Sequence, residues 1–257
     1  APAFAQTRNL AEIAAYQGPD RMARLIEGAK KEGVVSIYGS SVTEDMKPVS
    51  DAFKAKYGID FQYWRASSEN LVQRTVAETR ASRCLVDGFA TVAAELEALH
   101  REKLLQAVKT PLTAGLMPQA LRPHGEWVGT RLNVFVQAYN TKLVKKEELP
   151  KTWEDLVDPR WKGRLGIEQE DSDWLAGIFD ELGEAPARNV FKAIVAANGM
   201  SVRKGHTLLT QLVVSGEVPL ALTVYNYKAE QLRAEGAPID WFTIGSAVAR
   251  PNGVGVV

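Results

Sequence analysis

Residues 33–65 read GVVSIYGSSVTEDMKPVSDAFKAKYGIDFQYWR, and the spacing of apolar positions changes period twice within them. Val34 to Tyr38 is a short β-branched run bounded by glycines, the pattern of a buried strand. Gly39-Ser40-Ser41 then turns the chain. Ser41 and Glu44 have capping-box spacing, and Glu44 and Asp45 place acidic groups in a first helical turn, where the helix dipole favours them. Met46, Val49 and Phe53 give that helix an apolar stripe, Gly58 closes it, and Ile59 to Trp64 is a second strand. Upstream, Asp20 is positioned to cap a helix carrying Met22, Leu25, Ile26 and Ala29 on one face, with Gly33 at its end. Downstream, Ser67-Ser68-Glu69-Asn70 opens a helix with Leu71, Val72, Thr75 and Val76. Leu85 to Ala90 is a third strand, and Val92 to Leu104 another helix. Strand–helix repetition with short links predicts an α/β fold whose sheets are mostly parallel, with helices on both faces.

The pattern breaks and then resumes. Thr110 to Gly129 holds Pro111, Pro118 and Pro123 and reads as irregular connection. Leu132 to Tyr139 is a strand. Thr152 before Trp153-Glu154-Asp155 marks a helix start that Asp158-Pro159 stops. Arg164 to Glu168 is a strand, followed by a helix that Asp171-Ser172-Asp173 opens at Trp174. Further helices run through Val190–Val195, through Leu208–Val213 up to Gly216, and over Lys228 to Ala234. Pro219 to Val224 and Ile239 to Ile244 are strands. Two α/β lobes are expected, one from residues 6–130 plus 242–257 and the other from 131–241.

Composition narrows the function. The chain has 257 residues, with 31 basic and 31 acidic side chains and a net charge of zero. That balance argues against a nucleic-acid partner, which selects a basic stripe. No apolar run approaches the ~20 residues that span a bilayer. Cys84 is the single cysteine, so no intrachain disulfide forms; the residue reads as a small buried hydrophobe. Ala3-Phe4-Ala5 has the A-x-A form that signal peptidase cuts after, so export with cleavage after about Ala5 is expected. An ordinary Ala-rich N-terminus reads equally well from these residues alone. There is no phosphate-loop, dinucleotide, G-x-S-x-G or H-E-x-x-H motif. His100, His124 and His206 stand far apart in sequence, and a structural role is the plainer reading for His100 and His124. Nothing nominates catalysis.

In open α/β sheets, ligands bind beyond the carboxyl ends of the strands. The loops so placed are Gly39-Ser40-Ser41, Arg65 to Asn70, Ala90-Thr91, Glu170 to Trp174 and Tyr225-Asn226-Tyr227. For any one hydroxyl among them, simple helix capping at ~1 kcal/mol is the plainer explanation.

Four segments carry a resemblance: LIEGAKKEGVVSIY (25–38), FKAKYGI (53–59), YNTKLVKKEELPKTWEDLVDPRWKGRLGI (139–167), and Ser215–Pro219 together with Arg250–Gly253. The chain resembles bacterial extracellular solute-binding proteins of ABC importers, in their ferric-iron/polyamine-type branch. The resemblance implies a two-lobed type II periplasmic-binding-protein fold with a ligand cleft between the lobes. It implies a periplasmic monomer that captures one solute by hinge closure and hands it, unaltered, to permease subunits at the inner membrane. Family members usually continue into further C-terminal helices, which residues 253–257 do not supply.

The ligand is open among three chemistries. Ferric-binding members use adjacent tyrosines; here Tyr225 and Tyr227 are separated by Asn226. On an extended segment, positions i and i+2 share a face, which makes the two phenols the expected ligands of a transported Fe3+. Tyr225 as a cleft wall with Tyr227 in packing is the alternative. A small anion or carboxylate would use Ser40, Ser41, Ser67, Ser68, Thr91 and the helix start at Ser172, with Arg65 or Arg131 as a fork. A polyamine-like cation would use Glu69, Asp171 and Asp173 with Trp174 and the tyrosines as an aromatic wall. No resident cofactor is expected. An enzyme on a similar scaffold is the alternative of a different class.

Overall fold

The computed structural model describes residues 12–83 and 85–257; the expectations for Ala1–Ala5 and Cys84 fall outside those residues. The chain forms two compact units, residues 1–131 with 251–257 and residues 132–250.

The first unit is built on the predicted strand–helix repeat. Strands β1 (Val34–Gly39), β2 (Asp60–Arg65) and β3 (Gly88–Val92) are parallel, with Val34 opposite Asp60 and Ile37 opposite Gly88. The strand β9 (Ala249–Val256) returns antiparallel to β3, pairing Thr91 with Gly253 and giving the order β2-β1-β3-β9. The connecting helices are α1 (Arg21–Glu32), α2 (Thr43–Tyr57), α3 (Ser68–Arg80) and α4 (Ala93–Arg101). Tyr38, Leu71, Val86, Phe89, Leu96, Leu99 and Trp127 form the core between helices and sheet. The apolar run at the end of the chain is therefore a sheet strand whose partner the local pattern could not reveal.

Two capping expectations are corrected. Val42, not Ser41, is the N-cap of α2, and no side chain caps that end; the Ser41 hydroxyl instead accepts from Arg131 Nη2 at 2.8 Å. Asp20 sits at the N-cap of α1 without capping it, because its carboxylate is engaged by Arg24 and the Tyr16 hydroxyl. Ser67 does cap α3, accepting from Asn70 N at 3.4 Å.

In the second unit β4 (Trp127–Asn140), which enters it at Leu132, pairs antiparallel with β7 (Leu220–Tyr225) and with β8 (Ile239–Phe242). Strands β5 (Leu165–Glu168) and β6 (Ser201–Arg203) continue from β7 in parallel. Helices α5 (Ser172–Leu182), α6 (Glu184–Asn198), α7 (His206–Ser215) and α8 (Asn226–Ala234) complete it. One core gathers Trp153, Trp161, Trp174, Ile178 and Ile194 against the sheet; another joins Leu209, Val213, Val224 and Leu232. The helix read at Thr152 is two 3-10 turns, Glu154–Val157 and Pro159–Trp161. Pro159 supplies no amide hydrogen, and the Asp155 and Asp158 carboxylates accept nearby backbone N–H groups, which favours turns over a continuous helix.

The second unit keeps residues 242–250, which the sequence assigned to the first. The physical reason is local: Ile244 N donates to the buried Gln137 side chain at 2.7 Å, Phe135 N donates to Val248 O at 2.9 Å, and Arg250 is bound to Asp171 and Asp173.

Candidate functional site

Each unit gathers predicted residues at the carboxyl ends of its parallel strands. In the first unit the meeting point is Thr91 on β3. Its hydroxyl donates toward Ser68 Oγ at 3.0 Å and Ser40 Oγ at 3.3 Å. Ser41 follows on the β1 loop, 8% exposed, with Arg131 on its hydroxyl and the Tyr63 hydroxyl donating to its carbonyl at 2.9 Å. Burial pushes the Tyr63 phenol above its ordinary pKa, so it stays a neutral donor. Parallel pairing of β1 with β2 and β3 is what unites three loops distant in sequence. Ser67 is occupied as a cap. Arg65 and Glu69 are exposed, and Glu69 accepts from Gln73 one helical turn on.

In the second unit the centre is Arg250. Its Nη1 donates to the Tyr225 hydroxyl at 2.8 Å, its Nη2 to Asp171 Oδ1 at 3.1 Å, and its Nε to Asp173 Oδ2 at 2.6 Å. Nη2 also bonds Asp173 Oδ1, and the guanidinium carbon lies 4.8 Å from the Phe135 ring centroid. His206 opens α7 with its ring 4.0 Å from that of Tyr225, its Nε2 3.1 Å from Asp171 Oδ1 and its Nδ1 3.3 Å from Thr223 O. Glu168 completes the group; its Oε1 accepts from Gly205 N, and ligand atoms of Glu168, Asp171 and His206 lie within 4.8 Å of one another.

The electrostatics follow from burial around one cation. Burial lowers the Arg250 pKa, but the Asp173 hydrogen bonds and the charges of Tyr225, Asp173 and Asp171 outweigh it and hold it above the ordinary value. Burial alone would raise Asp173, and Arg250 reverses the sign, keeping its carboxyl below the ordinary range. For Tyr225 burial wins. Its phenol is pushed well above the ordinary value, helped by the Asp171 charge and opposed by Arg250. The second carboxylate oxygen of Asp171 is buried with no hydrogen-bond partner among the described residues. Arg250 already balances the charge of this carboxylate through Oδ1, so what Oδ2 retains is an unused lone-pair site that a further donor or a cation could fill.

The tyrosine geometry differs from the expectation. Tyr225 ends β7 and Tyr227 lies in the first turn of α8, so the pair is not an extended i, i+2 arrangement. Their rings nevertheless stack, with centroids 6.0 Å apart and planes 18° apart, Tyr225 buried and Tyr227 41% exposed. Asn226 is the first residue of α8 and half-buried. Ser172 begins α5 at the surface. Trp174 is corrected: it is 2% exposed, edge-on to Trp153 and Phe191 in the core, and offers no wall to a solute.

Three members of this site escaped the sequence reading. Glu168 ends a strand and opens the run Glu168–Asp173, four carboxylates in six positions, which reads from sequence as a solvated loop. His206 had no neighbouring motif, and Arg250 appeared only inside a family segment. The parallel pairing of β5 with β7 sets Glu168 and Tyr225 at the same sheet edge, a relation that local sequence does not carry.

Comparison with known proteins gives the family and the fold. Residues 94–249 match the family of bacterial extracellular solute-binding proteins. Iron uptake protein A1 of Synechocystis is 28% identical over 85% of this chain, and an Fe(3+)-binding periplasmic protein of Serratia marcescens is 26% identical over 76%. The chain spans 61% and 57% of those two relatives. Among solved structures, iron-bound HitA from Pseudomonas aeruginosa aligns with a TM-score of 0.73 at 22% identity, covering 87% of this chain and 74% of that one. The periplasmic binding protein AfuA from Actinobacillus pleuropneumoniae, with fructose-6-phosphate bound, aligns at 0.77 and 20% over 88% and 74%. With a type II periplasmic-binding-protein fold and a family match over more than half its length, the chain belongs to the bacterial extracellular solute-binding proteins.

Proposed function

We propose that this protein is the solute-binding component of an ABC-type importer, that its solute is the ferric ion, and that it passes the ion to membrane permease subunits by hinge closure. The observation that carries the ligand is the grouping of hard oxygen donors at one strand edge. Two stacked phenols, Tyr225 and Tyr227, occur with the Asp171 carboxylate near Tyr225, and Asp171 Oδ2 is buried with no hydrogen-bond partner among the described residues. Phenolate and carboxylate oxygens suit a small, highly charged cation. The ion would also supply what Tyr225 lacks, enough positive charge to remove a proton that burial otherwise retains. The names of the relatives, an iron uptake protein and an Fe(3+)-binding periplasmic protein, support the same reading. A periplasmic location, with an export signal removed near Ala5, accords with the family's extracellular description.

The test is a ferric titration of the purified chain, with iron delivered as ferric nitrilotriacetate. A visible phenolate-to-iron absorption band should grow to one equivalent, bleach with a stronger chelator, and vanish in Tyr225→Phe and Tyr227→Phe. Iron binding without any such band would overturn the phenolate assignment, and no saturable iron binding would overturn the ligand.

A second reading has its own observation. The hydroxyls of Thr91, Ser40 and Ser68, with Arg131 one residue away on Ser41, form a donor set for an oxyanion. Isothermal titration with phosphate and with a sugar phosphate separates this reading from the first. Heat from either that survives iron removal and is lost in Thr91→Val favours it.

A further inference from the structure

A second group of side chains able to bind a metal lies wholly within the first unit, and its two histidines stand alone in the sequence. Glu97 and His100 are one turn apart on α4, so both project from the same helical face. His124 comes from the Pro-rich connection that follows and stacks on His100, with ring centroids 3.9 Å apart and planes 14° apart. Ligand atoms from Glu97, His100 and His124 all lie within 4.8 Å of one another.

From this arrangement we infer that Glu97, His100 and His124 form a binding site for a borderline divalent transition cation such as Zn2+ or Ni2+, separate from the proposed ferric site. The ligand set decides the class. Two imidazoles and one carboxylate favour such cations over Mg2+ or Ca2+, which select oxygen, and give zinc three protein ligands with a position left for water. The surrounding groups are those such a site needs. Glu126 Oε2 lies 2.7 Å from His100 Nδ1, which fixes the proton on that nitrogen and leaves Nε2 with a free lone pair. Trp127 Nε1 donates to Glu97 Oε1 at 3.2 Å and orients the carboxylate.

Two features oppose binding and set its cost. Arg122 Nε lies 3.2 Å from the same Glu97 oxygen and must swing away; its side chain is 40% exposed, so solvent can receive it. His124 Nδ1 accepts from Glu126 N at 3.1 Å, and its Nε2 faces Glu97 Oε1 at 3.4 Å. To ligate through Nε2, the ring must move its proton to Nδ1 and rotate away from that amide. Binding is therefore weaker than at a preformed structural zinc site. Its consequence is mechanical: the cation ties the connection carrying His124 to α4.

The experiment uses the full chain, freed of metal by chelator. Zn2+ is titrated by calorimetry, and thermal unfolding is followed with and without it. One equivalent should bind and the melting temperature should rise by about 5 °C or more at hundredfold-Kd zinc. Zinc binding should weaken at least tenfold in His100→Gln and in His124→Gln, each checked for native circular dichroism. Tyr225→Phe, which abolishes the ferric band if that reading holds, should leave the zinc isotherm unchanged. The inference is overturned if zinc does not bind, or if binding survives both histidine variants. It is overturned equally if binding is lost instead in His206→Gln, which would place the ion at Glu168 and Asp171. None of these outcomes depends on whether iron binds.

Discussion

Arg250 Nη1 stands 2.8 Å from the Tyr225 hydroxyl, joining the last residue of the second unit to the last residue of β7. The same guanidinium neutralises Asp171, whose side chain is 1% exposed, while keeping only 15% of its own surface in solvent. Arg250 is therefore a structural cation first, and whatever it does for a solute is built on that role. Arg250→Ala leaves the buried Asp171 carboxylate with the His206 ring nitrogen, 3.1 Å away, as its remaining side-chain partner among the described residues. The expected loss is about 3 kcal/mol, the low end for a broken buried pair. Arg250→Lys should lose less, yet not recover fully, because a point charge cannot serve three partners as a planar fork does. Urea midpoints of the three proteins measure this, and an alanine variant within ~0.5 kcal/mol of the parent contradicts it.

Asp173 gives a pH dependence with a definite sign. Its folded pKa lies below the ordinary 3.8, so the folded state favours the ionised form. That stability is complete above the ordinary value and is lost as pH falls through the lowered one. Because the side chain is 48% exposed, the magnitude is a screened one, well under that of a buried pair. Acid unfolding should therefore begin earlier below pH 4 in the parent than the near-neutral pH stability difference between parent and Asp173→Asn would imply. The two curves should converge toward low pH; parallel curves would remove Asp173 from the explanation.

Much of the first unit could be read from local pattern. Val34–Gly39 and Asp60–Arg65 lie within a residue of their expected positions because glycine and β-branched residues bound them. The third strand begins at Gly88 rather than Leu85, since Leu85 is 69% exposed and the pairing with Ile37 starts at Gly88. What could not be read is what depends on partners. β9 is Gly-rich and antiparallel to β3, and that long-range pairing carries no local signal in the sequence. The hydroxyl loops of that unit were found because strand ends follow from the repeat. His206 and Arg250 were not, since they meet Asp171 from 35 and 79 positions away in sequence through sheet neighbours alone.

The two serines flanking the first sheet edge separate capping from binding. Ser67 accepts from Asn70 N, and Ser67→Ala should cost about 0.5–1 kcal/mol, the lower range for a cap because the bond is 3.4 Å long. Ser41→Ala removes no cap. Its effect should appear instead as a freed Arg131 and, if the oxyanion reading holds, as weaker phosphate binding. Chemical unfolding and phosphate calorimetry on both variants distinguish the roles; a stability loss in Ser41→Ala as large as in Ser67→Ala would undo the distinction.

Gly253 tests whether the closing strand β9 depends on close backbone approach. A Cβ at this position would lie 2.5 Å from the Val128 carbonyl oxygen, 2.8 Å from Trp127 Cε3 and 3.0 Å from Leu96 Cδ1. Carbonyl oxygen in a strand cannot yield as a flexible side chain does, so β9 itself must shift. Gly253 pairs with Thr91, and a shift there also disturbs the hydroxyl cluster of Ser40 and Ser68. Gly253→Ala should therefore destabilise the chain by about 1–3 kcal/mol, as overpacking does. Gly28 provides the opposite control. It lies inside α1 with no heavy atom within 4 Å of an added Cβ, and Gly28→Ala should stabilise by about 0.5–1 kcal/mol through helix propensity alone. Melting curves of the two single variants should move in opposite directions; a neutral or stabilising Gly253→Ala would show that β9 has room the packing does not indicate.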